Sequence, residues 1–218
     1  MLLQDEDVSL IIARYREDIS WANGVPRGIK TIVYDKNRKN PVVSNLKIER
    51  IKNFGRESQT YLHHILNHYD DLSDWTLFTQ GNPFDHSKHF MHLFHEDIDK
   101  SKNISLRQNG YYGISDCLFE LNEEKQFNVD KKDEADWFTV VCCSADEIYE
   151  IIKMNRPTTH KHNPGAIMLV SKSMILKHPR ETYQKLHDLH FRKYTWHTPW
   201  SFEICWPSIF SKREIKFA

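Results

Sequence analysis

Residues 53–86 read NFGRESQTYLHHILNHYDDLSDWTLFTQGNPFDH, and the order of patterns in them sets the fold class. Tyr61, Leu62, Ile65, Leu66 and Tyr69 recur at helical spacing, so residues 58–69 form an amphipathic helix with one buried face. The acidic stretch 70–74 breaks it. Residues 75–79 (WTLFT) then read as a short strand that stops at a polar loop, Gln80-Gly81-Asn82-Pro83-Phe84-Asp85-His86. A helix start beside Arg56 favours an anion such as a phosphate. A carboxylate just past a strand's C-terminal end lies where open α/β sheets bind their ligands. Together these predict a nucleotide-diphosphate and metal site, and so an enzyme rather than a scaffold.

Working outward, residues 8–13 (VSLIIA) are an apolar run of the kind buried on both faces of a sheet. A helix is predicted to begin near residues 19–21. Residues 28–34 (GIKTIVY) make a second strand, ending in Asp35 and Lys36, and 38–45 read as a loop around Asn40-Pro41. Three strands thus end in polar residues with helical or loop segments between them, the pattern of a mostly parallel sheet flanked by helices. Downstream, helices are predicted over 86–97, 145–154, 179–191 and 201–206, and strands over 138–143 and 165–170, with Ser171 as a cap. Residues 110–121 are mixed and aromatic. Residues 122–136 (NEEKQFNVDKKDEAD) read as a charged surface loop. No repeat or linker divides the chain, so 1–218 is read as one α/β domain.

The 218 residues carry 30 basic and 30 acidic side chains. That balance points away from a nucleic-acid partner. Aromatics at 12% and only 7 glycines describe a packed globular protein. Cys117, Cys142, Cys143 and Cys205 form no Cys-x-x-Cys pair and read as buried, reduced thiols. The acidic start carries no signal-peptide pattern, and no apolar run approaches the ~18 residues of a membrane span. The expectation is a soluble, cytoplasmic protein without a transmembrane segment.

Gly55-Arg56-Glu57 suits phosphate contact through free amides and a forked cation, but the spacing alone reads rather as an ordinary helix start with Glu57 at the positive dipole end. Gln80, Asn82 and Asp85 offer oxygen ligands of the type Mg²⁺ or Mn²⁺ prefers, although one carboxylate with two amides needs a diphosphate to complete the set. The 13 histidines include His64 and His68, one helical turn apart, and His86, His89, His92 and His95, recurring every third residue. That series drifts around a helix and gives no convergent zinc set, so these side chains read as solvated or hydrogen-bonded. Glu203, in SFEICW, suits a general base beside aromatic surface, or equally a structural Glu bonded to the Trp206 N–H. Asp116, Asp133, Glu134 and Asp136 are alternative bases.

The segments VSLIIARYREDISW, IVYDKN, 53–86, GAIMLVSKSMILKHPRETYQKL and FEICW together resemble a fungal and viral family of GT-A-like glycosyltransferases. Its members are often described only as being of unknown function, and they include the glycosyltransferase domain of a chlorella virus protein. The resemblance implies a single GT-A-like domain that uses a nucleotide-sugar donor of UDP type, a glycan acceptor and Mn²⁺ or Mg²⁺. It places the nucleotide at Ala13, Arg14, Tyr15, Asp35, Lys36 and Arg56. Where many such enzymes carry Asp-x-Asp, this chain has Gln80-Gly81-Asn82, which moves metal ligation towards Asp85. A single inverting displacement follows, with Glu203 as first candidate for the base and Asp85 as a second catalytic carboxylate. Two alternatives stand beside it: a metal-dependent hydrolase using the His-rich segment, and a non-catalytic carbohydrate-binding relative.

Overall fold

The computed structural model describes residues 7–37, 46–95, 109–122, 145–192 and 197–210. The predicted strand 138–143, all but residue 122 of the charged loop, the acids at 133, 134 and 136, and Cys142 and Cys143 lie outside these residues.

A six-stranded sheet organises the described chain. Strands β1 (Val8–Arg14), β2 (Lys30–Asp35), β3 (Lys47–Arg50), β4 (Trp75–Gln80), β5 (Tyr111–Gly113) and β8 (Met168–Ser171) run in the order β3-β2-β1-β4-β8-β5. The four strands from β3 to β4 pair in parallel, and β8 pairs antiparallel with both β4 and β5. A separate antiparallel pair joins β6 (Phe119–Asn122) to β7 (Thr159–His162). The expected mostly parallel sheet flanked by helices is therefore present, with an antiparallel flank.

The burial of β1 explains its unbroken apolar run, because alternate residues feed two cores. Ile11, with Tyr34 and Phe78 of the neighbouring strands, packs against one layer of helices. That layer holds α1 (Arg56–Asn67), α3 (residues 145–152), α5 (Arg180–Arg192) and α6 (Thr198–Phe210). Leu10, Ile12, Val33 and Leu77 face the other way, onto Ala22, Phe90 and Phe94.

Several predicted boundaries shift. The helix expected near 19–21 is a 3-10 turn, Ser20–Gly24. Of the helix expected over 86–97, the described residues 86–95 form a series of turns followed by α2 (His92–His95). Phe90 and Phe94 are buried in the core there, and Met91 and Leu93 pack partly against it. A short α4 (Lys172–Ile175) follows β8, with the Ser171 hydroxyl accepting from Met174 N as the cap reading required. The helix expected over 201–206 runs on through Pro207 to Phe210, where burial of Ile209 and Phe210 outweighs the hydrogen bond that proline forgoes. Cys205 is buried, but Cys117 is exposed, in the loop before β6, which corrects the all-buried expectation.

This topology positions a site. The chain leaves β1 towards β2 and β3, then returns to the opposite side of β1 as β4. The strand order therefore reverses between β1 and β4, and ligands of open α/β sheets bind at the carboxyl ends of such a pair. Arg14 is in register with Asp35, and Ala13 with Gln80, so these residues share that edge.

Candidate functional site

Two cavities open at the carboxyl edge of the sheet, of about 280 and 410 Å³. Arg56, Glu57 and Gln80 line both, so they form the two lobes of one cleft.

The first lobe is framed by Ala13, Arg14, Tyr15, Lys36 and Asn53. Arg14 donates to Asp35 Oδ1 at 2.8 Å, with both side chains buried, and its Nε donates to Glu17 O. Asp35 also accepts from Asn37 N, at 3.1 Å. Asp35 thus braces the loops beneath the lobe rather than lining it. The Glu17 carboxylate accepts from the amides of Tyr15 (2.7 Å) and Arg16 (2.9 Å). Gly81 must stay a glycine here, since a Cβ would come within 2.7 Å of that carboxylate.

The N-terminus of α1 forms the wall between the lobes. Gly55 (φ 62°) and Arg56 (φ 47°) both adopt the left-handed region. Outside glycine that conformation is uncommon and tends to mark functional sites. Among the described residues no side chain caps the helix. Gln59 N is bonded to Gly55 O at 3.1 Å, which leaves the amides of Arg56, Glu57 and Ser58 outside the helix's own ladder. Lys36 Nζ donates to Phe54 O at 2.8 Å and to Arg56 O, bracketing Gly55. Burial pulls the Lys36 ammonium down to about 7.

Arg56 bridges to the second lobe, its guanidinium 3.9 Å from the centre of the Trp200 ring. Trp200, Glu203 and Ile204 present one stripe of α6 to this lobe, the i, i+3, i+4 spacing of a helix face. Phe119, His162 and Gly165 close it from the opposite side. Glu203 Oε1 accepts from Gly165 N at 2.9 Å. Burial pushes the Glu203 carboxyl up to about 7; Glu57 adds to the rise, and the Gly165 amide and Arg56 oppose it.

The structure thus brings Ala13, Arg14, Tyr15, Lys36, Arg56 and Gln80 to one lobe, and joins Glu203 to Arg56 and Gln80 in the other. It does not bring Asp85 and Asn82 there. Asn82 Nδ2 donates to Asp85 Oδ1 at 2.8 Å, Asp85 is exposed, and neither lines either lobe. Gln80 Nε2 donates to Asn82 O at 2.9 Å. Asp85, Asn82 and Gln80 therefore do not fit a resident Mn²⁺ or Mg²⁺ facing the cleft as a set. Trp206, paired with Glu203 in the sequence reading, instead turns into the core between Tyr61 and Phe210. The amide bonded to Glu203 is that of Gly165, not the Trp206 indole.

Of the histidines, His86 lines the second lobe, His89 and His92 lie ring to ring at 5.0 Å, and His64 is buried against Tyr34. Asp116 is exposed and accepts from Lys88 N. Glu17, Trp200, His162 and Gly165 were missed from the sequence. Only Trp200 left a signal there, by its helical spacing from Glu203.

The chain belongs to the family described as Protein of unknown function (DUF3431). That family's model matches residues 10–217, which include every residue lining the cleft. No curated protein and no solved structure matches the chain. The function must therefore be argued from the cleft itself.

Proposed function

We propose that the cleft belongs to a nucleotide-sugar-dependent glycosyltransferase that inverts the sugar it transfers. The observation that carries this is the pairing of the lobes. One side gathers Arg14, Lys36 and Arg56, with the carboxylates of Glu17 and Glu57 beside them, at the N-terminus of α1; the other presents a carboxyl that burial pushes up to about 7, with Arg56 shared between them.

In this reading the diphosphate of a UDP-type donor enters the first lobe. Negative charge grows on it as the bond from the anomeric carbon to the phosphate oxygen breaks. Arg56, Lys36 and the α1 N-terminus lie where that charge develops. The acceptor, a glycan hydroxyl, enters the second lobe. Its oxygen bonds to the anomeric carbon while its proton passes to Glu203, and the electron pair of the broken bond leaves with the nucleoside diphosphate. A base titrating near 7 suits that proton transfer at neutral pH. Trp200 and Phe119 give the lobe the flat apolar surface against which a sugar ring packs. No step is assigned to a metal, because the candidate ligands do not converge on the cleft.

A calorimetric titration of UDP and then GDP tests the proposal. Binding of one nucleotide, weakened by Arg56→Ala, is the expected result. Binding of neither nucleotide would remove it.

A further inference from the structure

We propose that Lys36 is a positioning residue: by holding the carbonyls on either side of Gly55, it sets the left-handed turn that seats Arg56 on Trp200. A residue of this kind acts on the second lobe while itself lining only the first. The inference concerns how the cleft is held, and it rests on the glycosyltransferase reading only for its ligand arm.

Each link is visible. Lys36 sits just past β2, and its side chain is buried. Its donors reach Phe54 O and Arg56 O, which fixes the backbone either side of Gly55. The turn needs fixing, because Arg56 carries a Cβ at φ 47°, a conformation that non-glycine residues hold only when their surroundings impose it. Gly55 is held from the other side as well. A Cβ there would come within 2.6 Å of Gln59 Cβ and 2.7 Å of His190 Nδ1, so backbone and helix α5 are in close contact. The first side chain after the turn is Arg56, and its direction decides whether the guanidinium reaches Trp200. No hydrogen bond of Arg56 to another side chain is needed for this placement; its Nε lies 3.5 Å from Glu57 on the same helix.

An ammonium has three donors. Two are spent on the turn, so one remains for an anion in the lobe that Lys36 lines. An anion there and the seating of Arg56 thus draw on the same group, and the two lobes are coupled through it.

Nuclear magnetic resonance of the full chain reads this directly. The Arg56 side-chain signals, assigned by their disappearance in Arg56→Ala, should be shifted upfield by the Trp200 ring current. Lys36→Met should abolish that shift in a folded protein and weaken binding of inorganic pyrophosphate ~10-fold or more, as expected for a lost charge-assisted contact. Gly55→Ala should abolish the shift with Lys36 intact. An Arg56 shift that persists in folded Lys36→Met, or in folded Gly55→Ala, overturns the proposal. Where Lys36→Met does not fold, Lys36→Gln, whose shorter neutral amide reaches one carbonyl at most, is read by the same criterion. Failure of pyrophosphate to bind the unaltered chain would instead count against the glycosyltransferase reading and leave the Arg56 shift to decide the positioning role.

Discussion

Replacing Glu203 by glutamine keeps an acceptor for the Gly165 amide, 2.9 Å away, and removes a carboxyl that the fold prefers to keep protonated. Burial moves its pKa from an ordinary 4.5 to about 7. At about 1.4 kcal/mol per tenfold in an equilibrium, that rise penalises the ionised form by ~3 kcal/mol. Partial exposure of the side chain lowers the usable figure to roughly 2 kcal/mol, since water screens part of the penalty. The folded state binds this proton more tightly than the unfolded chain. Stability from this group is therefore intact below pH 4.5, declines as pH rises, and is fully lost above about 7. Glu203→Gln should thus be ~2 kcal/mol more stable than the unaltered chain at pH 8.5, and within ~0.5 kcal/mol of it at pH 4.5. Urea unfolding at the two pH values measures both. Glycosyl transfer should be lost in the same variant, the trade-off expected where a strained catalytic group costs stability. Equal stabilities at pH 8.5, or a destabilised variant there, would refute the assignment of Glu203 as a buried, proton-holding carboxyl.

Arg56→Ala should raise the Kd for UDP ~10-fold or more, read by calorimetry, because a forked cation is lost where the diphosphate is placed. Gly55→Ala should destabilise the fold by ~1–3 kcal/mol through its positive φ and the crowded contacts with Gln59 and His190, seen as a lowered urea midpoint. Trp206→Ala should cost ~3–5 kcal/mol, since its ring packs within 5.3–6.1 Å of the Phe202, Phe210 and Tyr61 rings; nucleotide affinity in the folded fraction should not change. Pyrophosphate binding should take up a proton near pH 7 and weaken above it, because burial pulls Lys36 down to about 7, with Glu57 opposing the fall. The neighbouring His63, His187 and His190 are all held below their ordinary values and stay neutral there. Calorimetry in buffers of different ionisation enthalpy detects the uptake.

The parts of the fold written in local pattern were legible in the chain. Strands β1, β2 and β4, the helix α1 and the polar residues that end each strand follow from apolar runs and helical spacing. So does the gathering of Arg14, Lys36, Arg56 and Gln80, since parallel strands put their carboxyl ends on one edge. Strands β3 (KIER) and β7 (THKH) escaped because a short edge or paired strand with polar residues has no apolar periodicity to read. Asp85 and Asn82 looked like ligands because loop composition gives side-chain chemistry but not direction. They bond to each other, and neither lines the cleft.

What the sequence determined by itself was the layered α/β architecture and the gathering of Arg14, Lys36, Arg56 and Gln80 in the first lobe, because both arise from residues close to strand ends in a parallel sheet. What only the tertiary structure decided was the partner of that lobe. The stripe Trp200, Glu203 and Ile204 sits on a helix whose other residues are mostly apolar and otherwise uncharged, so either face could have met the core. Packing of Phe202, Trp206 and Phe210 into the sheet chose the orientation, and the same burial that fixed it raised the Glu203 pKa. Periodicity can say which residues share a helix face, but not which of two apolar faces will find the larger core.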